Sequence, residues 1–170
     1  PKNVRTHVFL LKFPSETKTL CQLQTAFCQL LLLNTHTMIL LKGGDRAPKF
    51  SGVNEQGEKI SLADYKGKKL ILFFYPADNT PTCTTEACNL RDNYELLREK
   101  GFELLGVSPD SEKKHQHFIQ KYSLPFPLLA DKDLKIIKAY GAWGPKVLFG
   151  VHYDGVLRST FVINGKGVIE

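Results

Sequence analysis

The spacing of apolar positions changes several times between Met38 and Glu170, and each change marks an element. "KLILFFYP", Lys69 to Pro76, is an unbroken apolar run of strand length with β-branched and aromatic character. That pattern predicts a central strand covered on both faces. From Cys83 to Lys100 the apolar residues Ala87, Leu90, Tyr94 and Leu97 recur at steps of three and four, one stripe of a helix that Gly101 ends. "FELLGVS" predicts a second buried strand. Ser111 opens a helix to about Tyr122, with Phe118 and Tyr122 inward, and "FPLLAD" gives a short strand before a small helix, Asp133 to Tyr140. Upstream, "KFSGVNEQGEKISLADYKG" reads as a hairpin about Glu55-Gln56-Gly57, then a helical turn begun by Ser61. "GVLRSTFVI" and "GVIE" close the sheet around a turn at Asn164-Gly165. Strands alternating with helices predict a three-layer α/β domain, and the closing hairpin makes its central sheet mixed.

Pro1 to Thr37 reads differently. Its apolar stretch is interrupted by Gln22, Gln24 and Gln29, which disfavours a secretory core. Met38 is the only methionine, so residues 1–37 are expected to be an extension outside the native domain, from upstream translation or as a targeting segment. A genuine extra helix around Leu20 to Leu33 is the alternative, with Cys21 and Cys28 on one face. Residues 38–170 form the domain. Its last strand has only begun at Glu170, so a closing helix is expected to be missing.

Composition narrows the classes. With 42% hydrophobic and 24% charged residues, the chain is that of a globular protein large enough for its own core. The net charge of +6 suggests nucleic acid, but its distribution argues against that partner. Residues 1–37 hold four basic residues and one acidic; the rest holds nineteen and sixteen, largely interleaved as on a solvated surface. The densest basic cluster, Lys66-Gly67-Lys68-Lys69, reads as a turn. No run of about 18 apolar residues exists to span a membrane. Four cysteines are too few for a disulfide-stapled scaffold.

Chemistry concentrates in "YPADNTPTCTTEAC", Tyr75 to Cys88. In one regular helix Cys83 and Cys88 would stand roughly 8.5 Å apart at Cα, beyond a disulfide's usual reach unless the helix start unwinds. Zinc lacks a second ligand pair at fitting spacing, and His115 and His117 read as solvated residues on a polar helix face. An inert buried thiol suits Cys88, beside Ala87, but does not account for Cys83. Cys83 falls in the first turn of a helix, where free N–H groups and the dipole favour a thiolate. Pro81 is preset for that start, and Thr80 or Thr82 can cap it.

These residues resemble a known family. Pro76, Thr80 and Cys83 stand as P-x-x-x-T-x-x-C, similar to the peroxiredoxin active-site pattern. Cys88, five residues on, resembles the resolving cysteine of the peroxiredoxin Q / bacterioferritin comigratory protein subfamily. "GDRAPKF" resembles the family's opening and "YGAWGPKVLFGVHYDGVLRSTFVI" its later core, so the likeness covers about Leu41 to Glu170. The order of strands and helices fits the same thioredoxin-like architecture.

The resemblance implies a thiol peroxidase. Cys83 would attack the peroxide and become a sulfenic acid, Thr80 and loop N–H groups would donate to its oxygens, and Pro76 would shield the thiolate. Arg158, in the strand after the Y-D-G turn, would supply the cation. Glu86 and Arg91 read as helix-surface residues. Cys88 would resolve the sulfenic acid once the first helical turn unwinds, giving an exposed disulfide suited to reduction by thioredoxin or a similar dithiol protein. No cofactor or metal is implied; a monomer in the cytoplasm is, with organelle targeting by residues 1–37 as the alternative. Three rivals remain: a dithiol oxidoreductase, expected to carry C-x-x-C; a copper carrier, expected to carry C-x3-C with a histidine such as His152; and a redox-sensing module without turnover.

Overall fold

The computed structural model describes residues 41–148 and 150–170. The readings made on residues 1–37, with Cys21, Cys28 and the helix around Leu20 to Leu33, lie outside the described residues. Within them the elements are β1 (Ser51–Asn54), β2 (Lys59–Ser61), a 3-10 turn (Leu62–Tyr65), β3 (Lys69–Phe74), α1 (Pro81–Asp92), α2 (Tyr94–Glu99), β4 (Phe102–Ser108), α3 (Glu112–Tyr122), β5 (Leu128–Ala130), α4 (Lys135–Ala139), β6 (Trp143–Leu148), β7 (Val151–Val156) and β8 (Ser159–Ile163).

Six strands form one sheet in the order β2-β1-β5-β4-β3-β8, while β6 and β7 form a separate two-stranded ribbon. The sheet is mixed, as expected: β3 runs parallel to β4 and antiparallel to β8. β3 is therefore interior, and its side chains alternate between two buried faces. Leu70, Leu72 and Phe74 join a core with Phe50, Ile136, Ile137 and Tyr140. Ile71, Phe73 and Tyr75 join the other, with Ala87, Leu90, Leu97 and Phe118 from α1, α2 and α3. Gly106 of β4 is needed on this second face, because a Cβ there would stand 2.7 Å from the Phe73 ring. Each large side chain sealed in this way contributes about 1.5–3 kcal/mol.

Several boundaries differ from those the pattern predicted. The helix expected from Cys83 to Lys100 starts at Pro81 and breaks at Asn93, whose side-chain amide donates to the Asn89 carbonyl at 2.9 Å. The apolar stripe continues through the break, which is why spacing alone did not reveal it. "GVLRSTFVI" is not one strand: β7 ends at Val156 in the ribbon and β8 starts at Ser159 in the main sheet. The expected Tyr153-Asp154-Gly155 turn lies inside β7, paired with Lys146, Pro145 and Gly144 on β6. Arg158 thus sits at the junction between two sheets rather than within a strand. After β8 the chain turns through Asn164, whose N–H donates to the Val168 carbonyl, and Ile169 makes a single antiparallel bridge to Ile163.

Candidate active site

The site forms where β3 gives way to α1. Asn79 takes a left-handed backbone conformation, φ 59°, which asparagine tolerates better than most residues, and reverses the chain just before the helix. Pro81 then occupies the first helical turn. Thr80 is the N-cap, but its hydroxyl caps nothing. Its proton has two acceptors in reach, the Ala77 carbonyl at 3.3 Å and Cys83 Sγ at the shorter 2.6 Å. The capping group is turned onto the thiol. The expectation that Thr80 or Thr82 caps the helix through its side chain fails for Thr80, and the reason is this competing acceptor.

Cys83 is buried, 2% exposed, in the core facing α1 to α3; Cys88 is half-buried, and both thiols are free. This reverses the assignment of the buried thiol to Cys88: packing against Ala87 and the Tyr75 face falls to the earlier cysteine. Both lie in the one unbroken helix α1, so the geometric separation of roughly 8.5 Å applies. From the β7–β8 junction Arg158 reaches Cys83, with Nη2 2.9 Å from Sγ, while Nη1 bonds Glu86 Oε2 at 2.8 Å. Glu86 is therefore no plain surface residue: its side chain is 24% exposed, and burial raises its pKa against the opposing pull of Arg158. Arg91 does lie towards the surface, where it bonds Asp92 and the Tyr122 carbonyl at 2.8 Å. Pro76 follows Tyr75 directly at the end of β3 and is half-buried.

A second group beneath the loop escaped the sequence reading. The Asp78 side chain is buried, with Oδ1 accepting from the Tyr75 hydroxyl at 2.8 Å and Oδ2 2.8 Å from His115 Nδ1. His115 is wholly buried, so its assignment to a solvated face is corrected; His117, two residues on, is exposed as expected. Nδ1 is the nitrogen facing the carboxylate, so its N–H donates to Asp78, and the buried Nε2 has no hydrogen-bond partner among the described residues. The Asp78 N–H donates to Asp110 Oδ2 at 2.7 Å, and Lys114 holds the same carboxylate at 2.9 Å. Burial, then the Asp78 charge, push the Tyr75 phenol well above its ordinary pKa. The one signal in the sequence was position: His115 lies three residues before Phe118 on the stripe that faces inward.

Among the described residues, no group of three or more His, Cys, Asp and Glu side chains could hold a metal ion, and no helix is long and apolar enough to cross a membrane.

A thiol at a helix start, with a hydroxyl and a guanidinium aimed at its sulfur and a covered mixed sheet behind it, defines a thioredoxin-fold thiol peroxidase. The AhpC/TSA family pattern matches residues 43–170. The putative peroxiredoxin bcp of Coxiella burnetii is 51% identical over 127 residues, 75% of this chain and 84% of that protein. Peroxiredoxin Bcp of Escherichia coli is 43% identical over 130 residues, 76% of this chain and 83% of the relative. Among solved structures, a mutant PrxQ of Xylella fastidiosa superposes with a TM-score of 0.71 at 31% identity, covering 76% of this chain and 83% of that one. The chain belongs to the AhpC/TSA family, among its peroxiredoxin Q / Bcp members, and is a thiol-dependent peroxidase.

Proposed function

We propose that Cys83 is the peroxide-reducing nucleophile and Cys88 its resolving partner. The observation that carries this is the convergence of Thr80 Oγ1 and Arg158 Nη2 on one buried sulfur. In the proposed reaction the Cys83 thiolate attacks the distal peroxide oxygen. The O–O bond breaks as S–O forms, and the leaving oxygen departs as water, or as an alcohol from an organic hydroperoxide, once protonated. Negative charge spreads along S–O–O, where the Thr80 hydroxyl and the Arg158 guanidinium are placed to meet it. Pro76 shields the sulfur from bulk water.

Cys83 sulfenic acid then meets the Cys88 thiol after the first turns of α1 unwind, releasing water and forming the disulfide. A dithiol protein such as thioredoxin reduces that bond and restores both thiols. This chemistry suits a monomer in a reducing compartment such as the cytoplasm. Organic hydroperoxides are included because a Xanthomonas campestris structure, 32% identical with a TM-score of 0.67, concerns the alkyl peroxide reduction activity of its bacterioferritin comigratory protein. Residues 1–37 are proposed to lie outside the catalytic domain.

The test is hydrogen peroxide consumption coupled to thioredoxin and its reductase. Cys83→Ser should abolish turnover. Cys88→Ser should consume one equivalent of peroxide and then stop. Full activity in Cys83→Ser would overturn the assignment.

A further inference from the structure

Arg158 carries one positive charge but faces two acids of α1, Glu86 at 2.8 Å and Cys83 at 2.9 Å. An ionised Glu86 and a Cys83 thiolate together outnumber it by one. Burial raises the pKa of the Glu86 carboxyl, and desolvation disfavours any further negative charge beside it. A second cation stands on the ribbon. Lys146 of β6 is half-buried, and among the described residues its ammonium bonds no acid: Nζ donates to the Val156 carbonyl at 2.9 Å.

The reach of that side chain is specific. Lys146 pairs across the ribbon with Tyr153, yet its ammonium bonds a carbonyl three residues further along β7, two residues before Arg158. Gly155 leaves the path open: a Cβ there would stand 3.1 Å from Lys146 Cδ and 3.2 Å from the Tyr153 ring, tighter than ordinary packing. The same short segment is pinned on its other side, where the Leu157 N–H donates to the Ala142 carbonyl at 2.8 Å. Burial and then the Arg158 charge lower the pKa of Lys146, while Cys83 acts in the opposite direction.

We infer that Lys146 is a second cation of the peroxidase site, which holds the Arg158 segment through the Val156 carbonyl and balances the negative charge that Glu86 and the Cys83 thiolate place around Arg158. This rests on Cys83 as the nucleophile, and it makes Lys146 a positioning residue rather than one that touches the peroxide.

The test is a single-turnover measurement in the Cys88→Ser background, following oxidation of Cys83 by hydrogen peroxide through the fluorescence of Trp143, the sole tryptophan. Lys146→Met keeps the stem and removes the charge, and should slow the reaction on the order of tenfold. Lys146→Arg should restore the rate to within about twofold. Glu86→Gln added to Lys146→Met should also recover most of the loss, because it frees the charge of Arg158. Circular dichroism checks that each variant folds, and Lys146→Gln replaces the methionine variant if that one does not. An unchanged rate in Lys146→Met overturns the inference. So does a slow Lys146→Arg, which would show that the lysine's shape and not its charge matters. Unaltered oxidation in Arg158→Ala would instead strike the reading of the site itself.

Discussion

The chain before Cys83 and the chain after it are held by different forces. The loop from Tyr75 to Asn79 is fixed from below, through buried hydrogen bonds between Asp78, Tyr75 and His115 and through the Asp78 N–H to Asp110, whose carboxylate Lys114 also holds. Among the described residues, the polar contacts of the opening turns of α1 centre on Cys83 and Glu86, with the Thr80 hydroxyl also donating to Cys83. Those turns rest on two small buried side chains, Cys83 and Ala87, and on the Arg158 bridge to Cys83 and Glu86. Only further along, at Leu90 and at the Arg91 bond to the Tyr122 carbonyl, is the helix tied down again. The difference teaches where motion is affordable. In the proposed mechanism the loop stays while the helix start opens, and Cys88 would travel towards a sulfur whose approach is built from the loop.

Removing the bridge should have the largest effect on that contrast. Arg158→Ala takes from Cys83 its one guanidinium and from Glu86 its ion-pair partner. Its second-order rate with hydrogen peroxide, measured by stopped flow, should fall by about a hundredfold or more, the scale of losing one charge-stabilising donor. A rate within a factor of three of the wild type would remove Arg158 from the chemistry.

Loosening the loop should act on stability first. Asp78→Ala leaves the Tyr75 hydroxyl and His115 Nδ1 buried without their acceptor, at a cost of about 3 kcal/mol. The thermal midpoint should drop by roughly 10 °C. Tyr75→Phe removes one donor and leaves His115 in place, so its loss should be about 1 kcal/mol. Equal losses in the two variants would show that the carboxylate is not the hub of this group.

The two regions were also unequally legible in the sequence. The helix side was plainer: Pro81 at the start, the apolar steps of Ala87 and Leu90, and a cysteine in the first turn belong to one continuous stretch, although the break at Asn93 before Leu97 left no mark in the spacing. The loop's anchor was not, because its parts are 37 residues apart and meet only when α3 packs on β3. A histidine on a helix with many charged neighbours reads as solvated until its phase is set against Phe118. Arg158 was found by resemblance, but its backbone was misjudged, since nothing in "GVLRSTFVI" marks the switch from ribbon to sheet. Glu86 looked like surface because its partner lies 72 residues away. Local patterns made the elements readable, whereas charged pairs joining distant segments needed the fold.

The smallest effect should come from tuning the helix start without touching the site. Thr85 is exposed in α1, and its hydroxyl donates back to the Pro81 carbonyl at 3.0 Å. Alanine is the better helix former at such a position and glycine the worse, by about half a kcal/mol on either side. If unwinding precedes disulfide formation, the wound state must be left each time the sulfenic acid is resolved. Thr85→Ala should then slow formation of the Cys83–Cys88 bond about twofold, and Thr85→Gly should speed it by a similar factor. Oxidation by peroxide should be unchanged in both, because it occurs with the helix wound. Rapid acid quench with thiol alkylation separates the two steps. If both variants resolve at the wild-type rate, opening of α1 does not limit resolution, and the contrast between fixed loop and yielding helix loses its kinetic meaning.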